Sequence, residues 1–192
     1  SNLGMMVLYD AVNRRPDMLA ERVYLPADDM AEAMREAGIP LYGLETRHPL
    51  RQFDVIGVSL PYEQLYTNVL TALDLAGIPL RAADRGEDDP IVMIGGHASF
   101  NPEPLAPFVD VACAGDGEEF VLAVDEVLRQ VRGRAARLDA IGRIPGAYLP
   151  DRYRAEYLPP REGEAHGRLR GTFPREHAPL RVTKRTVSDL DD

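Results

Sequence analysis

Three apolar runs constrain this chain more than anything else in it: "FDVIGVSL" (53–60), "PIVMIGG" (90–96) and "DVACAG" (110–115). Each is short, mostly apolar and nearly free of charge, and the first carries the β-branched residues expected of a strand covered on both faces. The stretches between and after them have a different period. "YEQLYTNVLTALDLAG" (62–77) puts Leu65, Tyr66, Val69, Leu70 and Leu73 on one helical face, and "GEEFVLAVDEVLRQVRG" (117–133) does so with Phe120, Val124, Val127, Leu128 and Val131. Strand–helix alternation of this kind predicts a doubly wound, flavodoxin-like α/β fold, with a mostly parallel sheet and helices on both faces.

The flanks are less regular. Residues 3–13 read as a helix, with Ser1 or Asn2 as cap and Leu3, Val7, Leu8 and Val12 as its stripe. "DDMAEAMREAG" (28–38) reads as another helix. Asp29 would cap it, Glu32 holds the capping-box position, Met30, Ala33, Met34 and Ala37 would face inward, and Gly38 ends it. "ERVYLP" (21–26) and "PLYGLE" (40–45) read as short strands. After Gly133 come a short helix, an Ile-Pro-Gly turn and a stretch rich in Pro, Gly and charge, with strands expected at 152–157 and 181–187. The expected division is 1–132 as the α/β domain and 133–192 as an extension and linker. A doubly wound domain usually opens on a strand; this chain opens on a helix.

Bulk properties narrow the function classes. A net charge of −9 argues against general nucleic-acid binding or attachment to an anionic membrane. No apolar run approaches the roughly 20 residues that span a bilayer. The opening "SNLGMMVLYDAVNRR" shows neither a basic leader nor a cleavage site, so a cytoplasmic setting is expected. One cysteine, Cys113, excludes an internal disulfide or a multi-cysteine metal site in this chain.

Candidate site residues cluster at the C-terminal ends of the expected strands, where open α/β sheets bind ligands. Gly95 and Gly96 end the second strand; adjacent glycines allow close backbone approach to a ligand, or simply a tight turn. Ser59 and Leu60 end the first strand, where the serine could bond a ligand or cap the next helix. His97 follows the glycines, but no partner stands at metal-ligand spacing. Gly115, Asp116, Gly117 and Glu118 form a loop that resembles a phosphate cradle in its glycines only. With Glu119, its carboxylates suit a helix N-terminus and would repel an anion. Asn101-Pro102-Glu103-Pro104 is turn chemistry opening a short helix.

"GGHASFNPEPLAPFVDVACAGDGEEF" (95–120) resembles the pattern G-G-x-x-x-x-N-P-E-x-x-A-x-x-x-D followed by G-(D/E)-G-E, found in cobalamin-binding-like domains fused to radical SAM enzymes. "FDVIGVSLPYEQLYTNVL" is similar to their central strand and helix, "IPGAYLP" to the hairpin that follows, and "KRTVSDLDD" to the lead-in to the radical SAM core. "SNLGMMVLYDAVNRRPDMLAERVYLP" is similar to the N-terminal region of one branch of that group. The resemblance covers nearly the whole chain. It implies an accessory domain, with Ser59, Leu60, Gly95 and Gly96 lining a groove for cobalamin's nucleotide tail, His97 nearby, and Gly115–Glu118 facing the catalytic barrel. It also implies that a 4Fe–4S cluster and S-adenosylmethionine are held by a radical SAM core outside this chain.

Two departures accompany it. The Cys-x-x-x-Cys-x-x-Cys cluster motif is absent here, and so is the Asp-x-His-x-x-Gly motif whose histidine ligates cobalt. The chain is therefore expected to begin after the family's first strand and to stop before its cluster motif, leaving a groove beside a central strand. The groove reading further predicts that Gly96→Val removes cofactor binding and spares the fold. The alternatives are a cofactor-free docking domain, which contacts the barrel or a macromolecular substrate, and a flavodoxin-like domain for another nucleotide, against which the acidic loop counts.

Overall fold

The computed structural model describes residues 3–175 and 178–186. The caps expected from Ser1 or Asn2, and the expected strand's end at Val187, lie outside these residues. The three apolar runs become β1 (Val55–Ser59), β2 (Ile91–Gly95) and β3 (Val111–Cys113), parallel and adjacent in that order. A fourth strand, β4 (Ala147–Tyr148), runs antiparallel beside β3 and comes from beyond residue 132. The sheet order is β1-β2-β3-β4, and among the described residues β1 pairs on one side only. This mostly parallel sheet is consistent with a flavodoxin-like fold.

Side-chain alternation along β2 divides the interior in two. Val92 and Ile94 point to one face and join Leu60, Val69, Leu73, Ala31 and Met34. Ile91 and Met93 point to the other and join Val111, Cys113, Phe120, Val124 and Ile141. The first face is covered by α2 (Asp28–Ala37) and α3 (Tyr66–Leu75), the second by α4 (Glu118–Gln130) and α5 (Arg134–Ile141). α1 (Leu3–Asn13) lies against α4. Arg15, just past α1, reaches Asp125 of α4 at 3.0 Å, and Arg129 bonds the same carboxylate at 2.9 Å.

Several local expectations are corrected. Residues 21–26 join no ladder among the described residues, although Val23 and Leu25 pack on the core. Residues 40–45 contribute only a single antiparallel bridge, Tyr42 to Pro49. The inward face of α2 is Ala31 and Met34, while Met30 is 56% exposed; among the described residues no side chain caps that helix, and Asp29 accepts from the Met30 amide within its first turn. On α1 only Val12 is buried, and Leu3 is 77% exposed. β1, expected to be covered on both faces, is only partly buried. In the extension, β5 (Tyr153–Tyr157) pairs with an unforeseen β6 (Leu169–Pro174) as a separate antiparallel hairpin. Residues 181–186 form no strand, only a parallel bridge between Arg185 and Gly115.

One ionic cluster fixes the N-terminal ends of the strands. Asp110, at the start of β3, accepts from Arg85 Nη1 at 2.8 Å, Arg134 Nη2 at 2.6 Å and the Val92 amide at 2.8 Å. Burial lowers the Arg85 pKa from its ordinary value, with the Asp110 charge acting in the opposite sense. Removing one partner from such a buried network strands the others without water. Asp110→Ala should therefore destabilise the chain by about 3–5 kcal/mol, read as a lowered urea midpoint; an unchanged midpoint would show that the cluster does not hold the fold.

Candidate functional site

The sequence-predicted residues do meet on one rim, above the C-terminal ends of β1, β2 and β3. Ser59 is exposed at the end of β1 and precedes a 3-10 turn (Glu63–Leu65) whose start has no side-chain cap. Leu60 turns the other way. Its side chain is 1% exposed and belongs to the core, and its backbone is spent on internal bonds: its amide donates to the Gly95 carbonyl at 2.8 Å, and its carbonyl accepts from the Ala98 amide at 2.9 Å.

Those bonds explain the double glycine. Gly96 has φ +93°, a region that side chains strongly disfavour, and an added Cβ would stand 2.8 Å from the Leu60 carbonyl oxygen. The space beside Gly96 is thus filled by the chain's own backbone. Gly95 differs, since a Cβ there would meet only the Cys113 Cβ at 4.0 Å. His97 opens a 3-10 turn (His97–Phe100), is exposed, and stands edge-on to Phe100 with ring centroids 6.2 Å apart. Buried below them, the Ser99 hydroxyl lies 2.7 Å from both the Gly96 and the Cys113 carbonyl oxygens and can donate its one proton to either, tying the ends of β2 and β3 together. Among the described residues no three His, Cys, Asp or Glu side chains gather as metal ligands.

The acidic loop is built against two other segments. Gly117 is the residue before α4, which has no side-chain cap; Glu118 and Glu119 sit in its first turn, favourably placed for the helix dipole. An added Cβ at Gly117 would touch Leu8 of α1 at 3.4 Å. Gly115 has φ +122°, and a Cβ there would overlap the Arg185 carbonyl oxygen. The Arg185 amide donates to the Ala114 carbonyl at 2.9 Å, the Asp116 amide donates to the Arg185 carbonyl at 3.0 Å, and the guanidinium bonds Glu119.

Sequence reasoning missed several functional-looking groups. Glu103, read as part of a turn, accepts from the Tyr148 hydroxyl of β4; burial, and then Glu103, raise that phenol's pKa. Tyr66 donates toward the carbonyls of Ala98 and Asn101, at 3.0 and 2.8 Å. Thus the N-P-E turn is held from both sides, by α3 and by β4. The only foretelling signal was the polar tip on an otherwise inward aromatic. Arg185 carried no signal, because its partner lies far away in sequence.

Cys113 is buried, and desolvation pushes its thiol up to about 11. It is therefore protonated at neutral pH, and iodoacetamide at pH 8 should modify it far more slowly in the native protein than in urea; equal rates would contradict its burial. The expectation that a side chain at Gly96 spares the fold is replaced. Gly96→Ala should cost about 1–3 kcal/mol through its positive φ and its contact with Leu60, visible as a lowered melting temperature.

A family model described as "Radical SAM proteins, N-terminal" matches residues 4–150. No curated protein and no solved structure gives a significant match.

Proposed function

Because the chain belongs to the family of radical SAM protein N-terminal regions, we propose that it is the accessory docking domain of a cytoplasmic radical SAM enzyme. In this reading its C-terminal rim, with Asp116 and Glu118, faces the catalytic core and positions that core's substrate. Residues 133–192 lead toward the core. The 4Fe–4S cluster and S-adenosylmethionine belong to the core, since one cysteine cannot supply the three thiolates of such a cluster. The observation that carries the reading is the rim itself. Exposed Gly96, His97 and Phe100 and the half-buried loop 115–118 lie together at the strand ends, on the side where α/β sheets meet their ligands.

The cobalamin-bearing form of the proposal assigns Ser59, Leu60, Gly95, Gly96 and His97 to the cofactor's tail and Gly115, Asp116, Gly117 and Glu118 to the barrel-facing side. The geometry does not fit that form well. Leu60 is a core residue, and the glycine positions at 96 and 115 open onto the backbones of Leu60 and Arg185. Cofactor-free docking is the form this rim supports.

Two titrations test the proposal. Hydroxocobalamin added to the chain should leave its visible spectrum unchanged, and a saturable spectral shift would restore the cofactor-bearing form. Calorimetry against the separately produced radical SAM core should show saturable association that weakens in Asp116→Lys/Glu118→Lys; no heat with either protein would overturn docking.

A further inference from the structure

The loop at 115–119 is already occupied in this structure, and its occupant is a peptide. The backbone at Arg185 lies parallel to the end of β3 and completes it as an added strand would. Its amide donates to Ala114, its carbonyl accepts from Asp116, and its guanidinium places Nε at 3.0 Å and Nη2 at 2.5 Å from Glu119 Oε2. The preceding residue is placed as well: Lys184 Nζ stands 5.7 Å from the centre of the Phe100 ring, at cation–π range. Two glycines make room for this segment. A Cβ at Gly115 would overlap Arg185's backbone, and one at Gly146 (φ +88°) would press on Arg185 Cβ at 3.3 Å and on the Ala114 carbonyl oxygen at 2.9 Å.

We propose that the rim formed by Phe100, Gly115, Asp116 and Glu119 is a receptor for an extended basic peptide, filled in cis by Lys184 and Arg185. The recognition is complementary at each level. Backbone ladder bonds fix the direction of the segment, Glu119 selects a guanidinium over a neutral side chain, and Phe100 favours a cation before it. The glycines serve this peptide and not a cofactor. Any surface that docks on Asp116 and Glu118 therefore meets a rim on which residues 184–185 are seated, and it must either accept that strap or displace it. The inference does not depend on docking: it is read on this chain alone, whereas docking is read by adding the core.

Amide hydrogen exchange followed by NMR on the full chain tests it. The amides of Asp116 and of residue 185 report the strap; the Asp110 amide, which donates to the Val92 carbonyl at 2.9 Å, reports the sheet. Arg185→Ala should speed exchange at the two strap amides by about fivefold, the scale of a partly exposed ion pair, and leave Asp110 unchanged. Gly115→Ala should speed them by roughly tenfold or more, because its Cβ takes the strap's place. The exchanged pair Glu119→Arg/Arg185→Glu should recover the protection that Glu119→Arg alone removes. Arg185 lies on the strap and outside the core, so its variant decides the matter even if Gly115→Ala unfolds the sheet. Strap amides that exchange in the native chain as fast as in an unstructured peptide, or that ignore Arg185→Ala, would overturn the proposal, as would a charge exchange that restores nothing.

Discussion

The structure turns on the carboxylate of Asp110. Three segments remote in sequence converge on it: the loop that carries Arg85, the first residues of β2, and the first turn of α5 with Arg134. The Arg85 side chain has no exposure, and its remaining donors go to the carbonyls of Pro79, Leu80 and Phe108. Arg134 likewise bonds the carbonyls of Asp89 and Pro90. Burying three charges is costly, and the return comes only if each lone pair and proton is matched. Here the backbone partners come from segments that flank β2 and β3, and they converge on Asp110 only when those two strands are in register. The cluster acts less as net stabilisation than as a test that a misaligned sheet fails.

This arrangement divides labour between the two ends of the sheet. The N-terminal rim is locked by ion pairs, including Arg137 with Asp54 and Arg51 with Asp89. The C-terminal rim carries the Arg185–Glu119 ion pair and is otherwise held by the Ser99 hydroxyl, the Tyr66 and Tyr148 phenols and tight glycine turns.

How much of this was legible in the sequence follows from which forces act locally. The parallel strands and α3 and α4 were readable because their periodicity is a property of consecutive residues. Residues 21–26 and 40–45 looked like strands because apolar side chains do pack there, but packing without a neighbouring ladder does not make a strand. The face of α2 was misjudged because Ala31, not the larger Met30, meets α3's side of the core. Asp110 stood in the recognised pattern, yet nothing near it announced two arginines from elsewhere. The glycines were the least legible. Gly96 and Gly115 advertise close approach of something, and a linear sequence does not distinguish a cofactor from the chain's own Leu60 and Arg185.

The seam at Arg185 also has a mechanical meaning. β4 runs antiparallel to β3, so the chain leaves the sheet toward the N-terminal rim, folds through the β5–β6 hairpin, and returns to the opposite rim at Arg185. Tension on the residues that follow would reach this one-residue ladder before any strand of the sheet. Being so short, the ladder would peel first and pay out the stored length between Tyr148 and Arg185, as a slack loop of rope protects the knot behind it. The core beneath, bound through Asp110, would feel no load until that slack was gone.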